Sequence, residues 1–344
     1  MSARLTEGFG CTHACAIFDP VVEPLFSCLF SNASPELRWT GLPFGGRCTR
    51  AEIERLCALA GPAAPQVIVG AGGGQALDTA KAVARQLRLP LVIVPTAASS
   101  DAPTSRLIAI YDDAHKIVDV PLMPWNPSMI LVDTAVLAKA PRRLFIAGIG
   151  DAFTKRFEVA DAARDPNQRN YFGGLPPHLA TVLGRECHEI LIRFAAPALR
   201  ELDAGAGGPA FERVVEATIL YSGLAFESGG LSVAHGMLRG LTAFGETQGS
   251  LHGELVSYGL LVQLHAFDYD PQQITDATRF LAGVGLPTSR KHIGLSGASA
   301  EDLLTIARLT LAAPYLERLG PTLTPDRLVD AMNAVERHAQ PAVI

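Results

Sequence analysis

Hydrophobic and polar positions follow two different patterns along the chain, and the change comes near Pro141. Before it, short apolar runs alternate with segments of helical periodicity. The runs predict buried strands over residues 14–18, 37–40, 67–70, 91–94 and 128–132. Between them, Thr49 followed by Glu52 has the spacing of a capping box, and residues 75–87 combine high helix propensity with an apolar face. Strands that alternate with helices indicate a mostly parallel sheet with helices on both faces.

After Pro141 the strand-like runs disappear, and helical periodicity continues almost to the end of the chain. It predicts helices over residues 177–200, 211–227, 230–241, 252–267, 271–282, 299–311 and 325–338. A chain of 344 residues exceeds what one hydrophobic core normally serves. We therefore predict an α/β domain over residues 1–140 and an all-helical domain over residues 141–344.

Composition narrows the class of protein. Apolar residues make up 48% of the chain and charged residues 18%, which favours a compact enzyme over a disordered protein. A net charge of −5 without a basic run argues against nucleic acid or an anionic membrane as partner. No apolar run has the roughly 20 residues of a membrane span, and residues 1–10 lack the apolar segment of a secretion signal, so we expect a cytoplasmic protein.

Five of the six cysteines lie in the first sixth of the chain and form no CxxC pair. They are Cys11, Cys15, Cys28, Cys48 and Cys57. We interpret them as reduced structural thiols in preference to a zinc knuckle or disulfides.

The strand predicted over residues 67–70 runs directly into Gly72, Gly73 and Gly74, and a helix follows. Glycine lets the backbone approach an anion, and the first N–H groups of a helix point at it. The spacing is not GxGxxG, because Gln75 stands in the place of the last glycine. A tight turn that needs positive φ is the alternative, but three glycines exceed that need, and we favour a phosphate site.

A polar loop follows the next strand, at the edge where open α/β sheets bind ligands. Its polar side chains are Ser99, Ser100, Asp101, Thr104 and Ser105. They could bind a cofactor or a polyhydroxylated substrate.

The stretch 232–254 contains His235 and His252 between glycines. Two neutral imidazoles usually take a carboxylate as third protein ligand of a catalytic metal, and Asp151, after Gly-Ile-Gly, is the candidate. The histidines are 17 residues apart (252 − 235), which excludes one helix face and requires two elements brought together. A single histidine is more often a core or surface residue than a ligand. Two of them together with the aspartate favour a metal site.

Residues 70–84, 94–105, 126–159, 227–236 and 251–264 together carry a resemblance. In this order they resemble signature segments of the glycerol dehydrogenase branch of the metal-dependent, iron- or zinc-containing alcohol dehydrogenases, relatives of dehydroquinate synthase. The resemblance implies a dinucleotide-binding α/β domain, a helical metal- and substrate-binding domain, and a site in the cleft between them. It also implies NAD, a divalent ion (Zn²⁺, with Fe²⁺ as the alternative) and assembly as a homo-oligomer.

Matched residue by residue, the resemblance implies metal ligation by Asp151, His235 and His252. Substrate hydroxyls would meet Asp101. The cofactor-binding residues would be Asp19, Gly73, Gly74, Asp78, Thr96, Ser99, Ser105, Leu107 and Tyr111. Asp19 would bind the adenosine ribose and repel a 2′-phosphate, which favours NAD over NADP. The implied reaction is hydride transfer between an alcohol or diol and NAD, in which the divalent ion lowers the pKa of the substrate hydroxyl.

Two departures from the family pattern bear on the substrate and the cofactor. Leu238 and Arg239 replace a polar pair after the first histidine, which favours a larger, less polar or anionic hydroxy compound over glycerol. Gln75 replaces a lysine beside the phosphate turn. Two other functions stay open: a lyase or cyclase of the dehydroquinate synthase kind, which recycles NAD, and a degenerate, non-catalytic homologue.

Overall fold

A computed structural model describes residues 1–24, 36–113, 116–166, 168–316 and 323–338. The chain divides into two compact units. The α/β unit comprises Met1–Ala98 and Ala102–Ala140, and the helical unit comprises Ser99–Asp101 and Pro141–Ile344. Cys28 lies outside the described residues. The other five cysteines are free thiols.

The strands of the α/β unit are β1 (His13–Phe18), β2 (Arg38–Pro43), β3 (Val67–Gly72), β4 (Leu91–Pro95), β5 (Ile110–Tyr111), β6 (Ile117–Asp119) and β7 (Met129–Ile130). Its helices are α1 (Ser2–Phe9), α2 (Arg50–Ala60), α3 (Gly74–Leu87) and α4 (Thr134–Leu137). Five strands form a parallel sheet in the order β2-β1-β3-β4-β7, and β5 pairs with β6 antiparallel.

The apolar strand pattern explains why both faces of this sheet are covered. Every residue of β1, β3 and β4 is buried. Ile17 and Ile68 belong to a core cluster on one face, together with Leu77 of α3. Val67 and Val69 belong to a second cluster with Leu5 of α1, a helix that the sequence pattern did not predict.

The carboxyl ends of three parallel strands meet at one edge of the sheet. Phe18 is in register with Ala71, and Gly72 is in register with Pro95. The N–H of Asp19 donates to the carbonyl of Ala71 (2.9 Å), and the N–H of Thr96 donates to that of Gly72 (3.0 Å). Residues that follow separate strands are therefore held next to the glycine turn.

The helical unit contains α5 (Arg142–Phe153), α6 (Lys155–Ala162), α7 (His178–Asp203), α8 (Pro209–Glu216), α9 (Ser222–Gly229), α10 (Val233–Leu241), α11 (His252–Ala266), α12 (Pro271–Val284), α13 (Ala300–Leu311) and α14 (Pro325–His338). A π-helical turn, Ala217–Tyr221, separates α8 from α9 within the predicted helix 211–227. Helix α11 is buried over nearly its whole length and packs against α5, α10 and α14. The predicted fold class, a parallel α/β domain followed by a helical domain, is confirmed. Among the described residues, no helix is long and apolar enough to span a bilayer.

Candidate metal centre

Three helices of the helical unit bring the predicted metal ligands together. Asp151 lies near the end of α5, His235 in the first turn of α10, and His252 is the first residue of α11. Asp151 Oδ1 is 3.2 Å from His235 Nε2 and 3.8 Å from His252 Nε2. One ligand atom from each residue lies within 4.8 Å of the others. This spacing lets one ion contact all three side chains.

Glycines beside the ligands let α5 and α11 approach closely. A Cβ atom added to Gly150 would lie 2.7 Å from the carbonyl oxygen of Gly253, and one added to Gly253 would collide with the carbonyl oxygen of Ala147. The glycines next to Asp151 and His252 therefore serve backbone packing, which sets the separation of the two ligands.

Glu158, on α6, holds His235 in place. Its Oε2 is 2.7 Å from His235 Nδ1, and its Oε1 accepts hydrogen bonds from the backbone N–H groups of His235 and Ser232, each at 3.1 Å. Thr154 donates a further bond to Oε2 (2.8 Å). A carboxylate at Nδ1 orients the ring and leaves Nε2 for a metal. Glu158 was not predicted from the sequence, although it follows Asp151 by seven residues, a helix-face spacing.

Lys155 lies in the same cluster and was not predicted from the sequence either. Its side chain is fully buried, with Nζ 2.5 Å from Asp151 Oδ1 and 3.2 Å from Asp101 Oδ2. His235 Nε2 lies 3.4 Å from the same nitrogen. The signal in the sequence is the i, i+4 spacing from Asp151, which places both side chains on one helix face.

Asp101 belongs with the helical unit through the segment Ser99–Asp101. Its Oδ2 accepts a hydrogen bond from the Ser222 hydroxyl (2.8 Å), and its backbone N–H donates to Asp151 Oδ2 (3.3 Å). The residue is buried, and Ser222 and Lys155 hold its carboxylate beside the predicted metal ligands.

In this cluster, neighbouring charges shift the pKa values of the buried groups in the direction opposite to the effect of burial. Burial raises the pKa of Asp151, but Lys155 and His235 outweigh it and hold that pKa well below its usual value. Burial lowers the pKa of Lys155, yet the carboxylates of Asp101, Asp151 and Glu158 reverse this and raise it. Glu158 resists ionisation through burial, but contact with His235 lowers its pKa to about 2. Burial lowers the pKa of His235, and Glu158 outweighs this to raise it to about 9. Each carboxylate therefore faces a cation.

These residues fit a divalent transition-metal ion. Two imidazole nitrogens and a carboxylate oxygen are a donor set that Zn²⁺ and Fe²⁺ accept. The carboxylate of Glu158 at His235 Nδ1 supplies the outer contact that such sites use. The side chain of His252 is 42% exposed, so the cluster is accessible from one side. A catalytic metal site needs such an open position.

The predicted phosphate turn lies in the α/β unit. Of its three glycines only Gly72 has positive φ (+148°), and an added Cβ there would lie 2.8 Å from Ala76 Cβ and 3.0 Å from Asp19 Cβ. Gly73 precedes α3, makes no side-chain capping bond, and has open space where its Cβ would be. A tight turn accounts for Gly72 alone, and Gly73 leaves room for an anion at the helix N-terminus.

Other predicted cofactor residues form a second group in the α/β unit. Asp78 is bonded to Lys81 Nζ (2.8 Å) and to the N–H of Ala109 (3.1 Å). Lys81 also donates to the carbonyl of Leu107 (2.9 Å), whose own N–H donates to the Ser105 hydroxyl (2.9 Å). This network fixes the loop before β5.

Two further predicted cofactor residues, Tyr111 and Ser99, lie in different units. The N–H of Tyr111 donates to the carbonyl of Cys48 (2.8 Å), and the side chain of Gln75 accepts from the N–H of Cys48 (3.2 Å). Ser99, in contrast, belongs to the helical unit.

Comparison with known proteins identifies the family. The model of iron-containing alcohol dehydrogenases matches residues 33–141. The glycerol dehydrogenase of Thermotoga maritima is 45% identical over 278 residues, which cover 81% of this chain and 76% of that protein. The chain belongs to the iron-containing alcohol dehydrogenase family.

Solved structures agree with the family assignment. A probable glycerol dehydrogenase from Sinorhizobium meliloti superposes with a TM-score of 0.91 at 33% identity, covering 98% of this chain and 94% of the other. The glycerol dehydrogenase of Schizosaccharomyces pombe gives the same TM-score and identity, with 98% and 86% covered. The resemblance to the glycerol dehydrogenase branch is confirmed, and this family member is an NAD- and metal-dependent alcohol or polyol dehydrogenase. Nothing in these matches favours a lyase or cyclase.

Proposed function

We propose that this dehydrogenase interconverts a small polyol or diol and its ketone or aldehyde, with a divalent ion held by Asp151, His235 and His252. The convergence of one carboxylate oxygen and two imidazole nitrogens within 4.8 Å is the observation that supports the assignment. The contact between Glu158 and His235 Nδ1 also supports the assignment, because ligands of catalytic ions are commonly oriented by a carboxylate in this way.

Zn²⁺ is the ion we propose, with Fe²⁺ as the alternative, since two imidazoles and a carboxylate suit both. Such an ion, when bound, polarises a substrate oxygen and lowers the pKa of its hydroxyl. The protein's own residues would orient the metal ligand His235 and the substrate. Glu158 fixes the ring of His235, and the buried carboxylate of Asp101 offers an acceptor for a second substrate hydroxyl.

NAD is the proposed cofactor form in preference to NADP. Asp19 lies beside Gly72, and its carboxylate would repel a 2′-phosphate on the adenosine ribose. The pyrophosphate would lie against Gly73 and Gly74 at the N-terminus of α3, where the helix dipole favours negative charge. Thr96, held beside the same turn, would contribute a hydroxyl.

The substrate class follows from the relatives and from one departure. Relatives that carry the name glycerol dehydrogenase support a polyol. Leu238 and Arg239 follow His235 by three and four residues on α10, a spacing that places them toward the same helix face. Leu238 is buried and Arg239 is exposed. We therefore extend the proposal to larger or anionic hydroxy compounds, which a panel of alcohols and hydroxy acids would rank by kcat/KM.

The proposal includes a cytoplasmic location and a homo-oligomeric assembly. Buried free thiols such as Cys15, Cys48 and Cys187 are typical of a reducing compartment. Light scattering on the purified chain would give the subunit count.

Metal removal and one ligand substitution test the proposed reaction. We expect NAD-linked diol oxidation to disappear after chelation and to return with Zn²⁺ or Fe²⁺. His252→Ala should lower kcat/KM at least about 100-fold, because it removes a ligand. His178→Ala is the matched control: His178 is also the first residue of a helix and is exposed. Activity that survives both chelation and His252→Ala would exclude the metal site, and product formation without net NADH would indicate the cyclase.

A further inference from the structure

Lys155 is a fully buried lysine whose ammonium lies on the metal-ligating atoms themselves. Its Nζ is 2.5 Å from Asp151 Oδ1 and 3.4 Å from His235 Nε2. The other oxygen of Asp151, Oδ2, already accepts the backbone N–H of Asp101 (3.3 Å). Oδ1 is therefore the oxygen that faces both the ammonium and the position where an ion would bind.

A buried lysine elsewhere in the chain provides a contrast. The side chain of Lys81 is 1% exposed and is bonded to Asp78 and to the carbonyl of Leu107, none of which belongs to the proposed metal ligands. The buried ammonium of Lys81 is thus paired without any contact to a proposed metal-ligating atom. The position of Lys155 is different, because it places a positive charge where a second positive charge is expected.

Distance alone brings the two charges into conflict. A Zn²⁺ ion lies about 2.1 Å from a carboxylate oxygen. Since Nζ is 2.5 Å from the same Oδ1, an ion bound there would lie within about 4.6 Å of the ammonium, whatever the angle. Like charges at that separation in a buried site repel strongly.

Lys155 has other acceptors to which it can retreat. Asp101 Oδ2 lies 3.2 Å from Nζ, the backbone carbonyl of Asp151 also lies at 3.2 Å, and the ring of Phe226 has its centroid at 5.7 Å. A small rotation of the side chain could leave Asp151 Oδ1 and keep these contacts.

We propose that Lys155 is a resident competitor of the metal ion: its ammonium and the divalent ion exclude each other at Asp151 Oδ1, so that metal loading requires Lys155 to withdraw toward Asp101. This inference rests on the proposed metal ligands. It predicts weaker metal binding than the same ligands would give without the lysine. The ammonium balances the buried charges of Asp101 and Asp151.

Lys155→Met tests the competition, because methionine is similar in length and uncharged. Zinc affinity is measured by competition with a chromophoric chelator on the full chain, in the wild type and in Lys155→Met. We expect the variant to bind Zn²⁺ about tenfold or more tightly, since the repelling charge is gone. Lys81→Met is the matched control and should leave the affinity unchanged. Equal or weaker zinc affinity in Lys155→Met would overturn the inference.

His252→Ala in both backgrounds separates this inference from the proposed function. If zinc binding is independent of His252 in the wild type and in Lys155→Met, the ligand set itself is wrong. If binding depends on His252 but Lys155→Met changes nothing, only the competition is wrong.

A metal-loaded crystal structure of the wild type covers the case in which the variant does not fold. We expect Lys155 Nζ to lie more than about 3.5 Å from Asp151 Oδ1, which is beyond hydrogen-bond distance, and to stay near Asp101. An ion on both histidines with Nζ still on Oδ1, or with Nζ as a ligand, would overturn it.

Discussion

At the scale of single residues, Glu158 is the side chain on which the orientation of His235 depends. Glu158→Gln would replace a carboxylate oxygen by an NH₂ group among four donors. We expect zinc affinity to fall about 10- to 100-fold, because contacts of this outer kind orient the ligand. The chelator competition assay measures it. Glu189→Gln, on an exposed glutamate of α7, is the control, and equal zinc affinities for both variants would contradict the positioning role.

Asp161 links the stability of the helical unit to pH. The residue is fully buried, and burial raises its pKa from 3.8 to about 6, although Arg164, Gln263 and Tyr269 all donate to it. The folded protein therefore holds this proton more tightly than the unfolded chain. The free energy of unfolding should fall by up to about 3 kcal/mol as pH rises from about 4 to 6, and then level off.

Asp161→Asn isolates that contribution, because the amide cannot ionise. Urea unfolding of the variant and the wild type between pH 4 and 8 gives the difference in stability at each pH. We expect this difference to change by up to about 3 kcal/mol in favour of the variant across the window from pH 4 to 6. Asp276→Asn, an exposed site on α12, serves as the reference. Parallel profiles for Asp161→Asn and the wild type would rule the linkage out.

The sequence predicts Asp151, His235 and His252 as ligands from their glycine-flanked positions and from the family resemblance, and the fold brings one ligand atom of each within 4.8 Å of the others. The sequence carried the signal for Lys155 and Glu158 as well, in their spacing of four and seven residues from Asp151. That signal is weak, since charged residues at helical spacing are usually solvated surface pairs. Only their burial in the fold shows that these two point inward.

At the scale of elements, the crossing of α5 and α11 sets the distance between two proposed ligands. Gly253→Ala would push α11 away from Ala147 and separate His252 from Asp151. We expect a loss of about 1–3 kcal/mol in stability together with weaker zinc binding. Thermal unfolding and the chelator assay measure the two effects. Gly283→Ala, within α12 and with open space around it, should be neutral or slightly stabilising, by about 0.5–1 kcal/mol. Normal zinc affinity in Gly253→Ala would show that the crossing does not control the site.

Periodicity predicted most elements because their burial follows local pattern. The helices predicted near α11 and α14 agree closely with the observed bounds, because α14 presents one apolar face and α11 is apolar on nearly all sides. It did not predict α1, a helix of only eight residues in which Leu5 is the one buried side chain. Nor did it predict the π-helical turn at Ala217–Tyr221, which interrupts a stretch of continuous helical pattern. Strand β7 is shorter than its apolar run, since only Met129–Ile130 pairs with β4.

At the scale of the whole molecule, the proposed binding sites for NAD and for the metal ion belong to different units. The proposed phosphate turn before α3 lies in the α/β unit, and the proposed metal ligands Asp151, His235 and His252 lie in the helical unit. The proposed ion, held by α5, α10 and α11, would stabilise those three helices against local opening, since it would bind the folded form alone. NAD should act in the same way on the elements around the glycine turn.

Backbone hydrogen exchange, followed by mass spectrometry, separates these two effects. With Zn²⁺ at 100 times its dissociation constant, opening of α5, α10 and α11 should become less favourable by about 2.7 kcal/mol, a slowing of roughly 100-fold where exchange is controlled by that opening. Peptides from β1 and β3 should show little change with the metal, whereas NAD should slow exchange in the turn before α3. His252→Ala should remove the zinc effect and leave the NAD effect intact. Zinc protection confined to the α/β unit would mean that the ion binds elsewhere, and this would count against the ligand set more directly than any loss of activity.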